Sequence, residues 1–290
     1  MAITAAKGMT PDEINALSGK VGGGDKVKRK AEDFPNPISV PYATLTPLFD
    51  DDAKNNVWTV RGSFSMIPYL FSLTATMTIY RNESNQELTI FNAFRCQESL
   101  EQEILKLGKV AHVVKLGQLH GDADAYYARA PQFGEPKLWT LPNGSVAEGT
   151  NADEILSETN VPVPGAKLYN LQGHPFPEGL MTLPCTSGAG PVLVATDSLI
   201  HITDLSIVPY VGRFVLYMMG LNMQSTQDVP KPAPLWCKTT VGAVGADCVR
   251  RWYKDIAAMD WSAFVGAHGT PAKNCDHDAM LEVVEQQIAK

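Results

Sequence analysis

The residues of this chain that could do chemistry are histidines and aspartates that stand directly after apolar segments. In chain order they are His120, Asp122, Asp124, His174, Asp197 and His268. Imidazole nitrogens and carboxylate oxygens are ligands that zinc, iron and manganese accept in proteins. Because sheet proteins place functional groups where strands end, this order predicts a metal site built from four separate loops.

Each of these positions also has a structural interpretation. A single His or Asp after a strand is most often a cap or a turn residue. The metal interpretation therefore depends on the recurrence of all four loops. The first loop is the most informative, because the compact turn His120-Gly-Asp-Ala-Asp124 can direct three ligands at one point.

Other polar and aromatic residues have simpler interpretations. His112 lies inside an apolar strand and is predicted to be a core histidine with one satisfied nitrogen. His201 and His277 lie near acidic residues and are predicted to be surface or capping groups. Tyr126 and Tyr127 follow the acidic turn; helix packing is expected, and a pocket lining is the alternative.

Apolar patterning predicts the elements that position these residues. The predicted strands cover residues 57–61, 74–80, 87–91, 110–116, 137–141, 167–169, 180–183, 191–196 and 263–266, and the predicted helices cover 99–107, 247–259 and 277–289. This mixed order favours an α/β or αββα layered domain over an all-β sandwich. Gly-x-Gly-x-x-Gly, Gly-x-Ser-x-Gly and P-loop motifs are absent from the sequence, so nucleotide-binding and serine-hydrolase folds are disfavoured.

The most apolar segment covers residues 205–223. Pro209 and Arg213 interrupt it, so no membrane span is predicted. Apolar residues recur there at helical spacing, at Tyr210, Phe214, Tyr217, Met218 and Leu221. We expect this helical face to pack on the core, and a pocket wall or a homodimer surface are the alternatives.

Composition bounds the class of protein. The chain has 290 residues, with 24 Lys plus Arg against 31 Asp plus Glu, a net charge of −7. The basic residues are not massed on one segment, so nucleic acid is not an expected partner. The five cysteines form no close pair, and no secretory signal begins the chain, so a cytoplasmic protein is predicted. Residues 1–35 are predicted to be a flexible segment with a short helix, followed by one domain over 36–290.

The order of the candidate residues resembles that of metallo-β-lactamase-fold hydrolases. The motif of this family is His-x-His-x-Asp-His after a buried strand, then a Gly-His loop, an Asp at a strand end and a His near the C-terminus. This chain has His120-Gly-Asp-Ala-Asp124-Ala125, then Gly173-His174, Thr196-Asp197 and Ala267-His268-Gly269. Two positions depart from the motif, because Asp122 and Ala125 stand where the family has histidine.

The resemblance implies a fold and a chemistry. The fold would be a four-layer αββα sandwich. One divalent ion would be held by His120, Asp122 and His174, and a second by Asp124 and His268, with Asp197 between them. Asp124 would also be the catalytic carboxylate. Such ions activate water, which implies hydrolysis of a small ester, lactone or related bond.

The departures from the motif bear on the metal and on activity. Carboxylate in place of imidazole makes the site harder, which favours iron or manganese over zinc. The alternative is a non-catalytic binding or scaffold protein that keeps the sandwich and has lost its ions. In that case His120 and an aspartate of the same turn hydrogen-bond to each other and fix the loop.

Overall fold

Two β-sheets face each other in the computed structural model of this chain, and helices cover both outer sides. The structure describes residues 44–49, 55–67, 71–118, 120, 123–144, 146, 151–174, 176–187, 190–205, 210–218, 224–226 and 228–289, with the side chains at 63–67, 71–73 and 215–216 excepted. The expected N-terminal segment over residues 1–35, the candidate ligand Asp122, and Leu221 of the predicted helical face lie outside the described residues.

The first sheet contains seven strands that are neighbours in chain order. They are β1 (Thr44–Pro47), β2 (Val57–Ile67), β3 (Phe71–Asn82), β4 (Glu87–Phe91), β5 (Lys109–Lys115), β6 (Lys137–Thr140) and β7 (Glu154–Ile155). Strands β1 to β4 pair antiparallel and β4 to β7 pair parallel. A parallel pair needs a crossover, and helix α1 (Glu98–Leu107) supplies it between β4 and β5.

The second sheet contains four strands in the order β11-β10-β9-β8. They are β8 (Lys167–Asn170), β9 (Gly179–Leu183), β10 (Val192–Val194) and β11 (Ala263–Val265). The remaining helices are α2 (Asp124–Arg129), α3 (Tyr210–Met218), α4 (Pro234–Val244), α5 (Ala246–Ala258) and α6 (His277–Ile288). Strands β10 and β11 pair parallel, with α3, α4 and α5 in the connection between them.

Three apolar clusters define the layers. The inner faces of the two sheets meet in one cluster that includes Val114, Met181 and Val194. A second cluster joins the first sheet to α1 and α2, and a third joins the second sheet to α4, α5 and α6. This order of layers confirms the predicted αββα sandwich.

Two predictions about aromatic residues have different outcomes. Tyr126 and Tyr127 are fully buried in α2, which confirms that they pack in the core. The expectation that the apolar face of α3 packs on the core is wrong, because Tyr210 and Tyr217 are 84% and 78% exposed. Helical spacing identifies an apolar face but not what covers it, and here the small Gly212 is the buried residue.

Among the described residues, none of the helices has the length and apolar character needed to cross a bilayer.

His112 is a half-buried histidine of the first sheet. It lies on β5, where its Nδ1 accepts a hydrogen bond of 3.1 Å from Trp139 Nε1, and burial lowers the pKa of His112 from its ordinary value. A lowered histidine pKa adds stability above the unfolded-state pKa, and that stability is lost as the pH falls through the folded-state value.

We therefore expect wild-type protein to lose more unfolding free energy than His112→Gln between about pH 7 and about pH 5. Urea denaturation at intermediate pH values measures this difference. Parallel pH profiles for the two proteins would contradict the prediction.

Candidate metal centre

His120, Asp197 and His268 bring their side-chain ends together at one end of the two sheets. His120 Nε2 lies 3.0 Å from Asp197 Oδ1, and His268 Nε2 lies 3.4 Å from the same oxygen. The two Nε2 atoms are 3.1 Å apart. We call these three residues the trio; among the described residues they form the group of His, Asp, Glu or Cys side chains that can share one metal ion.

The register of the second sheet places two members of the trio side by side. Val194 at the end of β10 pairs with Val265 at the end of β11 in a parallel ladder. Asp197 and His268 each follow their strand end by three residues, so they leave the sheet at the same height. His120 arrives from the first sheet, in the loop after β5. The trio therefore depends on the two sheets being held together at this end.

The orientation of His268 is fixed by β3. Its Nδ1 forms a close hydrogen bond with the carbonyl oxygen of Thr74, and the next backbone amide, Gly269 N–H, donates to Thr74 Oγ1 at 2.7 Å. A carbonyl acceptor requires a hydrogen on Nδ1, so neutral His268 presents the lone pair of Nε2 to the trio.

Gly269 allows the backbone next to His268 to lie close to the backbone of His201. It has a φ of 91°, and a Cβ atom there would lie 1.9 Å from the carbonyl oxygen of His201.

The prediction that His201 is a surface residue is wrong, because it is 2% exposed and its Nδ1 lies 2.9 Å from the carbonyl oxygen of Thr270. His201 thus belongs to the packing behind His268.

Asp197 supplies the negative charge of the trio. Burial alone would raise the pKa of Asp197, but the charge and hydrogen bonds of His120, and then those of His268, hold that pKa well below its usual range. Its side chain is 15% exposed. The carboxylate is therefore ionised at neutral pH and still open to solvent at one side.

The spacing and the donors of the trio fit a divalent ion. For metal–ligand bonds of about 2.1 Å, ligand atoms stand about 3.0 Å apart in octahedral and about 3.4 Å apart in tetrahedral coordination. The three separations in the trio are 3.0, 3.1 and 3.4 Å. In the form that binds a metal ion both imidazoles are neutral, and with the His268 hydrogen on Nδ1 at most one hydrogen lies among the three electron-rich atoms. A cation would satisfy all three at once.

Asp124 lies outside the trio. It begins α2 and is buried, and its Oδ2 lies 3.9 Å from the ammonium nitrogen of Lys115. That ammonium also forms a close hydrogen bond with the carbonyl oxygen of His120. Lys115 therefore balances the charge of Asp124 and connects it to the backbone of a trio residue.

His174 also lies outside the trio. Its Nε2 is 2.9 Å from Thr240 Oγ1, its Nδ1 accepts from Phe176 N–H at 3.0 Å, and its ring stacks on Trp236 with centroids 4.9 Å apart. Burial lowers the pKa of His174, so the ring is neutral and packs as an aromatic group. Its contacts join the loop before β9 to α4.

Glu178 is a buried residue that the sequence interpretation missed. Its Oε1 accepts hydrogen bonds of 2.6 Å from both Thr196 Oγ1 and Ser198 N–H, and its Oε2 accepts one of 2.7 Å from Trp236 Nε1. Thr196 and Ser198 flank Asp197, so the Glu178 carboxylate holds the loop that carries Asp197. A charged residue directly before an apolar strand was the available signal in the sequence.

Comparison with known proteins gives matches in structure but not in sequence. No family model matches the chain, and no curated protein matches it. Its fold is similar to that of DIM-1 metallo-β-lactamase, with a TM-score of 0.54 and 10% identity over 86% of this chain and 99% of that one. A metallo-β-lactamase from Erythrobacter litoralis gives 0.53 and 12% over 87% and 100%.

A further similar structure is that of FIM-1 metallo-β-lactamase from Pseudomonas aeruginosa in its mono-zinc form, with a TM-score of 0.50 and 11% identity over 87% of this chain and 97% of that one. Similarity at such low identity establishes the fold. The chain therefore has the metallo-β-lactamase fold, as the sequence resemblance implied.

The contacts of Glu178 predict a specific loss of stability. In Glu178→Gln the amide NH₂ faces at least one of the three groups that donate to the wild-type carboxylate, which leaves a buried donor without an acceptor. We expect the variant to lose about 1–3 kcal/mol of unfolding free energy. Glu103→Gln makes the same chemical change at an exposed site on α1 and serves as the control. Equal urea midpoints for the two variants would contradict the prediction.

The Lys115–Asp124 pair predicts coupled effects. Asp124→Asn leaves the Lys115 ammonium largely buried without its carboxylate, so we expect a loss of about 3 kcal/mol of unfolding free energy. Adding Lys115→Met removes that charge and should recover part of the loss. A double-mutant cycle measured by urea denaturation gives the coupling energy; additivity within about 0.5 kcal/mol would argue against the pair.

Proposed function

We propose that this protein is a metal-dependent hydrolase that holds one divalent ion in the trio. The observation that carries the proposal is the convergence of two imidazole nitrogens and one carboxylate oxygen at ligand spacing. Three protein ligands leave coordination positions open, as catalytic metal sites require. The proposed substrates are small molecules with an ester, lactone or related bond.

The residues of the chain prepare this site in distinct ways. His120 and His268 would each offer Nε2 as a ligand atom in their neutral form, and in that form the contact of His268 Nδ1 with Thr74 leaves Nε2 free of hydrogen. Asp197 lowers the net charge of a bound ion. When bound, a divalent ion would supply Lewis acidity and an activated water. Two nitrogens and one oxygen suit iron, manganese or zinc.

A single ion is favoured over the pair that the family motif implies. Asp124 faces the Lys115 ammonium, and His174 uses both ring nitrogens in other contacts. In this proposal Asp124 acts through Lys115 to position the backbone of His120 rather than as a ligand, and His174 positions α4. The mono-zinc form of FIM-1 metallo-β-lactamase offers a precedent in a similar fold.

We also propose a cytoplasmic location, because all five cysteines are free.

A non-catalytic binding or scaffold role is the second candidate. The observation that favours it is the Lys115–Asp124 ion pair, in which a lysine provides positive charge where the family motif implies a metal ligand. In that role the hydrogen bond from His120 to Asp197 fixes the loop without an ion. The two candidates differ in metal content and in their response to chelators.

Metal analysis tests the site directly. Protein purified without chelator should carry about one equivalent of iron, manganese or zinc by mass spectrometry, and His268→Ala should carry less than about a tenth. His277→Ala is the matched control, since His277 stacks on Trp261 outside the trio. We expect EDTA to lower the melting temperature of the wild type and of the control but not that of His268→Ala. Metal-free wild type with no response to EDTA would support the scaffold role.

Activity tests the substrate class. Metal-loaded wild type should hydrolyse members of a panel of lactones and aryl esters, and His268→Ala should lose at least about a hundredfold in kcat/KM. A protein that binds metal yet hydrolyses none of the panel would contradict the proposed substrate class while leaving the metal site standing.

A further inference from the structure

Helix α3 presents a row of large apolar side chains to solvent. The exposed fractions are 84% for Tyr210, 55% for Val211, 63% for Phe214, 78% for Tyr217 and 67% for Met218. We call these five residues the α3 face. Single exposed apolar residues are ordinary in proteins, but a contiguous group of this kind marks an interaction site.

The geometry of the helix explains how the face arises. At 100° per residue the five side chains fall within an arc of about 120°, and the buried Gly212 lies on the opposite side. The helix therefore turns its smallest residue toward the protein and its largest residues outward. The one charged residue of α3, Arg213, lies beside the face, with its guanidinium 5.0 Å from the centre of the Tyr210 ring.

The area of the face suits an interface between proteins. Since an aromatic side chain can bury about 150–250 Å², the exposed fractions of the five residues correspond to about 600 Å² per chain. Two such faces in contact would remove about 1,200 Å² from solvent, which reaches the lower limit of stable interfaces. Neighbouring residues would add to this area.

We propose that the α3 face binds the same face of a second copy of this chain. A two-fold interface brings identical patches together, and the centre of this face has no charge, so two copies can meet without burying like charges. Its composition of Tyr, Phe and Met beside an Arg, without Lys, Asp or Glu, is typical of the centre of a protein interface.

A lipid bilayer fits this surface less well. Helices that lie on membranes carry several Lys and Arg residues on a polar face. Helix α3 has a single Arg, and the whole chain has a net charge of −7, which anionic lipids would repel. A second copy of the chain is therefore the occupant that the charge pattern favours. This proposal does not depend on the proposed metal chemistry.

Sedimentation velocity of the full chain at about 1 to 100 µM tests the proposal, because self-association follows mass action. We expect wild type to sediment at twice the mass of one chain and Phe214→Glu to sediment as a single chain. Leu235→Glu is the matched control: it places the same charge at an apolar helical residue that is 48% exposed outside the α3 face, and it should remain a dimer. Circular dichroism and melting temperature establish that both variants fold.

Two outcomes would overturn the proposal: a monomeric wild type over the whole concentration range, or a Phe214→Glu variant that stays dimeric. Flotation with phosphatidylcholine vesicles, with and without phosphatidylglycerol, covers the membrane alternative. Wild type that floats as a monomer, with Phe214→Glu left at the bottom, would replace the second copy by a bilayer as the occupant.

Discussion

The buried carboxylate of Glu178 is the interaction on which the candidate site depends. Its side chain accepts three hydrogen bonds, from two residues that flank Asp197 and from Trp236 on α4. Its backbone forms an antiparallel β-bridge with Gly117, at the start of the loop that carries His120. A carboxylate is costly to remove from water, and hydrogen bonds from a hydroxyl, an amide and an indole offset that cost only when all are made. Glu178 therefore holds Thr196, Ser198 and Trp236 in fixed positions.

Backbone hydrogen bonds beside Glu178 also join the two sheets. Gly179 N–H donates to the carbonyl oxygen of Leu116, and Gln118 N–H donates to that of Pro177, so the end of β5 continues toward the start of β9. Gly117 makes the contact possible, because a Cβ atom there would lie 2.5 Å from Thr196 Oγ1. His120 comes from one sheet, and Asp197 and His268 come from the other. Their separations of 3.0 to 3.4 Å thus depend on backbone contacts between the sheets.

The sequence predicted most of the fold because its strands and helices have clear apolar periods. It also named His120, Asp197 and His268 among the candidate ligands, since each follows an apolar strand, and the structure brings the side chains of these three together. The partners of His174 and Asp124 were not predictable in the same way. A stacking ring on α4 or a lysine at the end of β5 becomes a partner only through tertiary packing. The exposure of α3 was missed for a related reason, since periodicity does not show which side of a helix faces the protein.

The charges around the trio bear on how many ions such a site can hold. A two-ion site is stabilised when several carboxylates face it without other partners. Here the Asp124 carboxylate is balanced by the Lys115 ammonium, which is only 10% exposed and so is poorly screened by water. A second cation near Asp124 would meet that ammonium and would have to displace it. Asp197 alone then provides the anionic charge of the trio, and one divalent ion held by one carboxylate and two neutral imidazoles would keep a net positive charge. That charge would strengthen the Lewis acidity that a bound ion supplies.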